Sequence, residues 1–392
     1  MNSIPKIPER ERSVEILQQL VRMRTHQPYG NEKDIVKYIS SLFPDNSVEK
    51  RIIDHGSNRA SLVITIPGVD PSRSVALTGH IDTIGVQNFD EWEHPPFAGD
   101  IDGDLLYGRG AADMKGGLTS MITAALAFIE NGCTPPQDVI LCFTADEEVT
   151  GTGALSLVRG GFLERAEELV VIKPTGEKIG LAEKGAIWLD VEIKGSNGHA
   201  AMPESGENAI ERFVELVQGI KGLLAEDRKH PLLGKSTCVI TTLCGGGASN
   251  IIPSSATGKL DIRTLPSVDH EAFLGRIYRL INERAGDGRR GLQISLEVVN
   301  NRPPVGMSRR SPLIKRFRGI CEDLGFAPEY THIPYFTDAS IFVPALGIPF
   351  IFLGPGDSRF YDQTDEYVSI SSVMNVSNIL VNYMAKRSIS SS

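Results

Sequence analysis

Apolar residues recur at three- and four-residue intervals in SVEILQQLVRM (13–23) and NEKDIVKYISSLF (31–43). That period predicts two amphipathic helices, the first with Ser13 as N-cap. Three nearly continuous apolar runs follow: SLVITIPG (61–68), SVALTGHID (74–82) and DVILCFTADEE (138–148). Rich in Val, Ile and Leu, they predict buried strands. Between the last two, MKGGLTSMITAALAFIENG (114–132) predicts a helix that ends on an Asn131-Gly132 cap. Strands alternating with helices predict an α/β domain with a mostly parallel central sheet flanked by helices.

Beyond about residue 185 the pattern changes. AIWLDVEIKG (186–195) alternates apolar and polar positions, as a half-buried strand does, and NAIERFVELVQGIKGLL (208–224) has an amphipathic helical period. Strands are predicted over 236–247, 254–266 and 292–299, and a helix over 269–286. This β-α-β-β-α-β order is that of a split βαβ unit. SPLIKRFRGICEDLG and IPFIFLGPG then resume the helix and buried-strand texture. The expected organisation is a catalytic domain in two parts, 1–185 and 301–392, interrupted by a smaller α+β domain at 186–300. The chain closes on a polar tail, SISSS.

The chain has 392 residues, 41% of them hydrophobic, enough for two domains with a large core. Its net charge of −9, with no long basic block, argues against a nucleic-acid partner. No apolar stretch approaches the roughly 18 residues of a membrane span, and the N-terminus lacks the apolar core of a signal peptide. Five cysteines, none in a CxxC pair, suggest neither a disulfide framework nor a structural zinc site. A cytoplasmic location is the expectation.

Three junctions place chemistry-bearing side chains where a strand should end. In TGHIDTI, His80 and Asp82 directly follow an apolar run. Open α/β sheets bind ligands beyond the carboxyl ends of their strands. His80 is a candidate metal ligand there, with Asp82 accepting a hydrogen bond from its other ring nitrogen. A lone turn histidine is the plainer alternative. In YGRGAADMKGG, Asp113 follows a Gly-rich turn at the start of the long helix, as a ligand or simply as a helix cap. In TADEEVTGTGA, Asp146, Glu147 and Glu148 stand together, and three adjacent carboxylates favour either solvent or a cation.

GHIDTI, GRGAADMKGG, ADEEVTGTGA, GSNGHAAMPESGENAIE, GGGASNIIP and FLGPG together resemble the zinc aminoacylase and carboxypeptidase family, which includes the acetylornithine deacetylases, succinyl-diaminopimelate desuccinylases and glutamate carboxypeptidases. The resemblance runs over nearly the whole chain, in the family's order. It implies two-metal hydrolysis of an amide, with Asp113 bridging two zinc ions, His80 on one and Glu148 on the other. It further implies that Glu147 is the general base, that Asp82 orients His80, and that His199 from a neighbouring subunit stabilises the oxyanion. Asn250 and Arg263 would hold the substrate, Arg263 through a carboxylate fork. A homodimer formed through the inserted domain and a small substrate bearing a carboxylate follow from the same resemblance.

Two positions depart from the family pattern. VVIKPTG has Lys173 where the family has an acidic ligand, and YDQTDEYV has Asp362 where it has a histidine. Aspartate still binds a divalent cation through oxygen, whereas a protonated lysine binds none. The expectation is therefore an amidohydrolase with fewer than two divalent metals per subunit, zinc or another, or with none. The Lys173 ammonium would replace one zinc ion electrostatically and pair with Asp113, Asp362 or both. Two other functions use the same pocket: a metal-free, lysine-assisted reaction in amino-acid metabolism, and ligand binding without catalysis.

Overall fold

The computed structural model describes residues 4–285, 292–357 and 359–388; the tail residues 389–392 lie outside them. The chain divides into two compact units. One is Met1–Leu181, Met307–His332 and Thr337–Ser392, and the other is Ala182–Gly306 and Ile333–Phe336.

The larger unit is built on a mixed sheet whose strands run in the order Glu49–Gly56, Arg59–Ile66, Gln137–Thr144, Asp70–His80, Ala166–Ile172, Phe350–Leu353 and Ile179–Glu183. Its centre is parallel: the four strands from Gln137–Thr144 to Phe350–Leu353 all point the same way. Toward both edges the pairing becomes antiparallel. Every residue of Gln137–Thr144 is buried, as expected of a strand covered on both faces. The crossover from Asp70–His80 to Gln137–Thr144 carries the helix Gly116–Glu130, buried from Gly116 through Phe128. A helix that is apolar nearly all round belongs inside a core. It lies so close to the sheet that a Cβ on Gly117 would stand 2.4 Å from Ile172 Cγ2.

The strand expected over 138–148 stops at Thr144. Asp146 takes a left-handed conformation, φ +62°, which turns the chain out of the sheet. Several elements have no counterpart among those the periodicity predicts, including the helices Thr152–Arg159 and Ala339–Leu346, the edge strand Glu49–Gly56 and the C-terminal helix. The edge strand Glu49–Gly56 is mostly polar and has no fully buried residue. The C-terminal helix Ile370–Met384, ISSVMNVSNILVNYM, is rich in β-branched residues and Ser/Asn, which are poor helix formers. Burial stabilises it, and the Ser369 hydroxyl caps it by accepting the Ser372 N–H at 3.1 Å.

The smaller unit has the order Gly185–Lys194, helix Ala209–Ala225, Thr237–Gly245, Ser255–Thr264, helix His270–Ala285 and Gln293–Arg302. Its four strands form an antiparallel sheet with Thr237–Gly245 and Gln293–Arg302 at the edges. Ile187, Leu189, Val191 and Ile193 alternate inward to meet Phe213, Leu216, Val217 and Ile220 of the first helix. Among the described residues, no helix in either unit is long and apolar enough to cross a membrane.

Candidate active site

Three neighbouring parallel strands deliver their last residues to one edge of the large sheet. His80 ends Asp70–His80, Ala145–Glu148 follow Gln137–Thr144, and Lys173 follows Ala166–Ile172. Asp113 comes from the turn that opens the crossover helix. The fourth parallel strand, Phe350–Leu353, leads toward the loop that carries Asp362.

Lys173 stands at the centre. Its Nζ donates to Asp113 Oδ1 at 2.8 Å and Oδ2 at 3.1 Å, lies 2.8 Å from His80 Nε2, and is 3.5 Å from Glu147 Oε1. Its side chain is 3% exposed. Burial alone would strip the charge from this amine, but the Asp113, Glu147 and Glu148 carboxylates outweigh it and hold the pKa well above the ordinary lysine value. His80 Nε2 stands 2.8 Å from this ammonium and 3.1 Å from Asp113 Oδ1; burial and the ammonium oppose a charge on the ring, but the Glu147, Asp113 and Asp82 carboxylates outweigh them and raise its pKa well above the ordinary value. The other ring nitrogen, Nδ1, then donates to the Asp82 carbonyl at 2.9 Å. Burial works against the Asp113 charge too, and Lys173 overrides it, driving that carboxyl far below the usual range.

Asp82 thus meets the His80 ring chiefly through its backbone oxygen; its carboxylate is 3.6 Å from Nδ1. That carboxylate accepts the backbone N–H groups of Glu147 and Glu148, each at 3.2 Å, and Gln27 Nε2 at 2.8 Å. Burial disfavours its charge, but His80, Gln27 and the Glu147 N–H bring the pKa below the normal value. Glu147 is buried, and its Oε1 has no hydrogen-bond partner. Glu148 is half-buried; burial and the neighbouring Glu147 push its pKa well above the carboxylate range.

Asp362 lies at the rim. Its side chain is 40% exposed, its φ is +63°, and it stands 3.9 Å from Arg109 Nη1. Burial and the charge of Asp113 raise its pKa. His199, Asn250 and Arg263 belong to the smaller unit. His199 and Asn250 are exposed. Arg263 spends its fork on Asp261, with Nε–Oδ1 at 2.8 Å and Nη2–Oδ2 at 3.0 Å.

Sequence reasoning missed the residues that hold this site from behind. Glu366 is fully buried and accepts Arg109 Nη1 at 2.6 Å and the N–H groups of Gly110, Ala112 and Asp113 at 2.9–3.1 Å. It thereby clamps the turn that presents Asp113. Arg59 similarly braces the Asp146 turn at 2.7 Å. The one signal available was the concentration of charge in YGRGAADMKGG and QTDEY, segments otherwise close to apolar runs.

The donor set suits a divalent cation. Ligand atoms of His80, Glu147 and Glu148 lie within 4.8 Å of one another. Four carboxylates, Asp113, Glu147, Glu148 and Asp362, face one ammonium, and Glu147 Oε1, 3.5 Å from that ammonium, is a buried acceptor with no hydrogen bond of its own. A carboxylate-rich cluster at the carboxyl ends of parallel strands, with ligand atoms close enough to hold one cation, fits a hydrolytic centre.

The comparisons with known proteins agree. The chain belongs to peptidase family M20/M25/M40, whose sequence model matches residues 76–386. It is a hydrolase acting on amide bonds. It is 28% identical over 384 residues to a probable succinyl-diaminopimelate desuccinylase of Staphylococcus aureus strain MRSA252, covering 91% of this chain and 92% of the relative. It is also 28% identical over 387 residues to succinyl-diaminopimelate desuccinylase 2 of Ruegeria sp. strain TM1040, covering 95% and 94%. Among solved structures it resembles aminopeptidase PepT of Bacillus cereus, with a TM-score of 0.78, 22% identity and 96% and 99% of the two chains covered. It likewise resembles YXEP of Bacillus subtilis, described as a dinuclear metal binding peptidase, with a TM-score of 0.72, 17% identity and 96% and 97% covered.

Proposed function

We propose that this protein hydrolyses the amide bond of N-acyl amino acids or small peptides at a centre with a single divalent cation, zinc or another, in which Lys173 takes the place of a second. The observation that carries this reading is the position of Lys173 Nζ, 2.8 Å from both His80 Nε2 and Asp113 Oδ1. A second dication held by Asp113 and His80 would need the Asp113 oxygens that the ammonium already engages and the space beside His80 Nε2 that it fills. Glu148, with Asp362 and Glu147 nearby in charge, remains for one ion. When bound, that ion polarises the scissile carbonyl and acidifies a water.

The chain's own residues do the rest. Glu147, buried and with Oε1 free of hydrogen-bond partners, takes the proton of the attacking water and returns it to the leaving amine. Lys173 holds Asp113 ionised and offsets the charge of the acid cluster. Asp82 fixes the backbone from which Glu147 projects. His199, Asn250 and Arg263 are proposed as substrate-recognition residues; a substrate carboxylate would have to compete with Asp261 for the Arg263 fork. The names of the relatives favour acyl groups that themselves end in a carboxylate, succinyl first. We also read the smaller unit as the site of homodimer formation.

Elemental analysis of protein purified without chelators, beside hydrolysis assays on succinyl, acetyl and dipeptide substrates, tests this reading. The expected result is about one divalent ion per chain and turnover lost on chelation. Glu147→Gln should lower kcat on the order of 10²–10⁴-fold while leaving the fold intact by circular dichroism. Two ions per chain would refute the single-metal centre. Activity that survives exhaustive chelation would instead favour the lysine-assisted, metal-free reaction.

A further inference from the structure

Behind the acid cluster lies a second layer of charge that the proposed chemistry does not use. Arg59, at the start of the strand Arg59–Ile66, has a side chain only 18% exposed. Nη1 donates to Asp146 Oδ1 at 2.7 Å and Glu32 Oε1 at 2.9 Å. Nη2 donates to Gln27 Oε1 at 2.6 Å and the Pro28 carbonyl at 3.3 Å. With its oxygen held by Arg59, the Gln27 amide must turn Nε2 the other way, toward Asp82 Oδ2 at 2.8 Å. Two routes therefore lead from one guanidinium to Glu147. One runs through Gln27 and Asp82 to the Glu147 and Glu148 N–H groups. The other runs through Asp146, the residue directly before Glu147, whose left-handed backbone makes the turn.

The surroundings are shaped to this guanidinium. Glu32 is fully buried beside it. Gly30, at φ +73°, has no room for a side chain, because a Cβ would stand 2.6 Å from Glu32 Oε2 and 3.2 Å from Arg59 Cγ. Glu32, Asp82 and Asp146 place three carboxylates around this side chain and its amide relay. The planar fork is what allows one side chain to bind Asp146 and Gln27 in different directions at once, which a lysine ammonium cannot reproduce with the same geometry.

We infer that Arg59 is the positioning residue of this centre: through Gln27 and Asp146 it fixes the turn on which Glu147 and Glu148 stand. The inference rests on the proposed role of Glu147 as base, and its test separates the two. Arg59→Lys keeps the charge and guards against misfolding; Arg59→Ala removes it. Expected for Arg59→Lys is a fall in kcat on the order of 10²-fold, from a base displaced by about 1 Å, with KM changed less than about threefold. In Arg59→Ala both routes to the turn are lost, so kcat per folded protein, with the folded fraction read by circular dichroism, should fall further than in Arg59→Lys. A crystal structure of Arg59→Lys reads the geometry whether or not the protein turns over the substrates tried. Displaced Glu147 and Glu148 carboxylates support the inference. Unmoved carboxylates, or unchanged kcat in both variants, overturn it. An inactive wild-type protein whose Arg59→Lys variant still shows the displacement would fail the functional reading alone.

Discussion

At Lys173 one ammonium does two separable things: it neutralises Asp113, and it fills space beside His80 Nε2. Substitution tells them apart. Lys173→Ala leaves the Asp113 carboxylate, only 5% exposed, without its cation. Breaking a buried pair from one side costs about 3–5 kcal/mol, so denaturant unfolding of the metal-free variant should show a loss of that order. Added divalent cation should restore most of it, because the vacated space lies between two ligand-type groups. Lys173→Glu goes further, as it supplies an oxygen donor there. Elemental analysis should rise from about one ion per chain toward two. A variant that stays at one ion, with unchanged stability in Lys173→Ala, would show that the ammonium plays neither part.

The residues proposed to do the chemistry and those that hold them in place differ in how far the sequence reveals them. His80, Asp113, Glu147, Glu148 and Lys173 each sit at the end of an apolar run or the start of a buried helix, and that local position is visible in the sequence. Arg59, Gln27, Arg109 and Glu366 carry no such mark. Their partners are distant in sequence, Arg59 with Asp146 and Arg109 with Glu366, and those pairs exist only once the sheet has assembled. The roles of Asp82 were likewise only half visible. An i, i+2 relation to His80 suggested a ring contact, but not the backbone N–H groups of Glu147 and Glu148 that its carboxylate holds.

At the scale of elements, the same division follows the kind of periodicity each one has. The parallel strands and the crossover helix announce themselves through continuous burial. The edge strand Glu49–Gly56 and the closing helix Ile370–Met384 are shaped by what they pack against. Strand spacing at the centre also sets the position of Lys173. Phe350–Leu353 pairs with Ala166–Ile172 in parallel register, and just beyond it Gly354 lies against the Lys173 backbone. A Cβ on Gly354 would stand 2.3 Å from the Lys173 carbonyl oxygen and 3.0 Å from its carbonyl carbon. Backbone cannot step aside as a side chain can, so Gly354→Ala must spread the two strands. Overpacking of this kind costs about 1–3 kcal/mol. The expected outcome is a destabilised but folded protein whose kcat falls more than its KM rises, since the ammonium moves relative to Asp113. Thermal unfolding beside steady-state kinetics checks it, and a variant with wild-type stability would mean that the strands separate freely at this end.

At the scale of the whole molecule, the proposed homodimer finds a candidate seam at one edge of the smaller unit's sheet. Thr237–Gly245, TCVITTLCG, borders its sheet and carries no charged residue and no proline, the devices that usually blunt an exposed edge. Seven of its nine residues are exposed, Val239 and Leu243 among them at 54% and 39%. A bulge between Ile240 and Thr242 interrupts its pairing with Ser255–Thr264 and is the strand's only irregularity. A second copy laid antiparallel along this strand would satisfy its outward N–H and C=O groups and bury Val239 and Leu243. Two-fold symmetry makes the same patch meet itself, so a charge placed there faces its own copy. The paired substitutions Val239→Glu and Leu243→Glu should therefore turn a dimer into a monomer, read by sedimentation equilibrium at micromolar concentration, with the circular dichroism of the fold retained. The hydrolytic centre lies in the other unit, so its bound metal should be unchanged in the same variant. A wild-type protein that sediments as a monomer, or a doubly charged variant that remains a dimer, would remove this strand from the assembly.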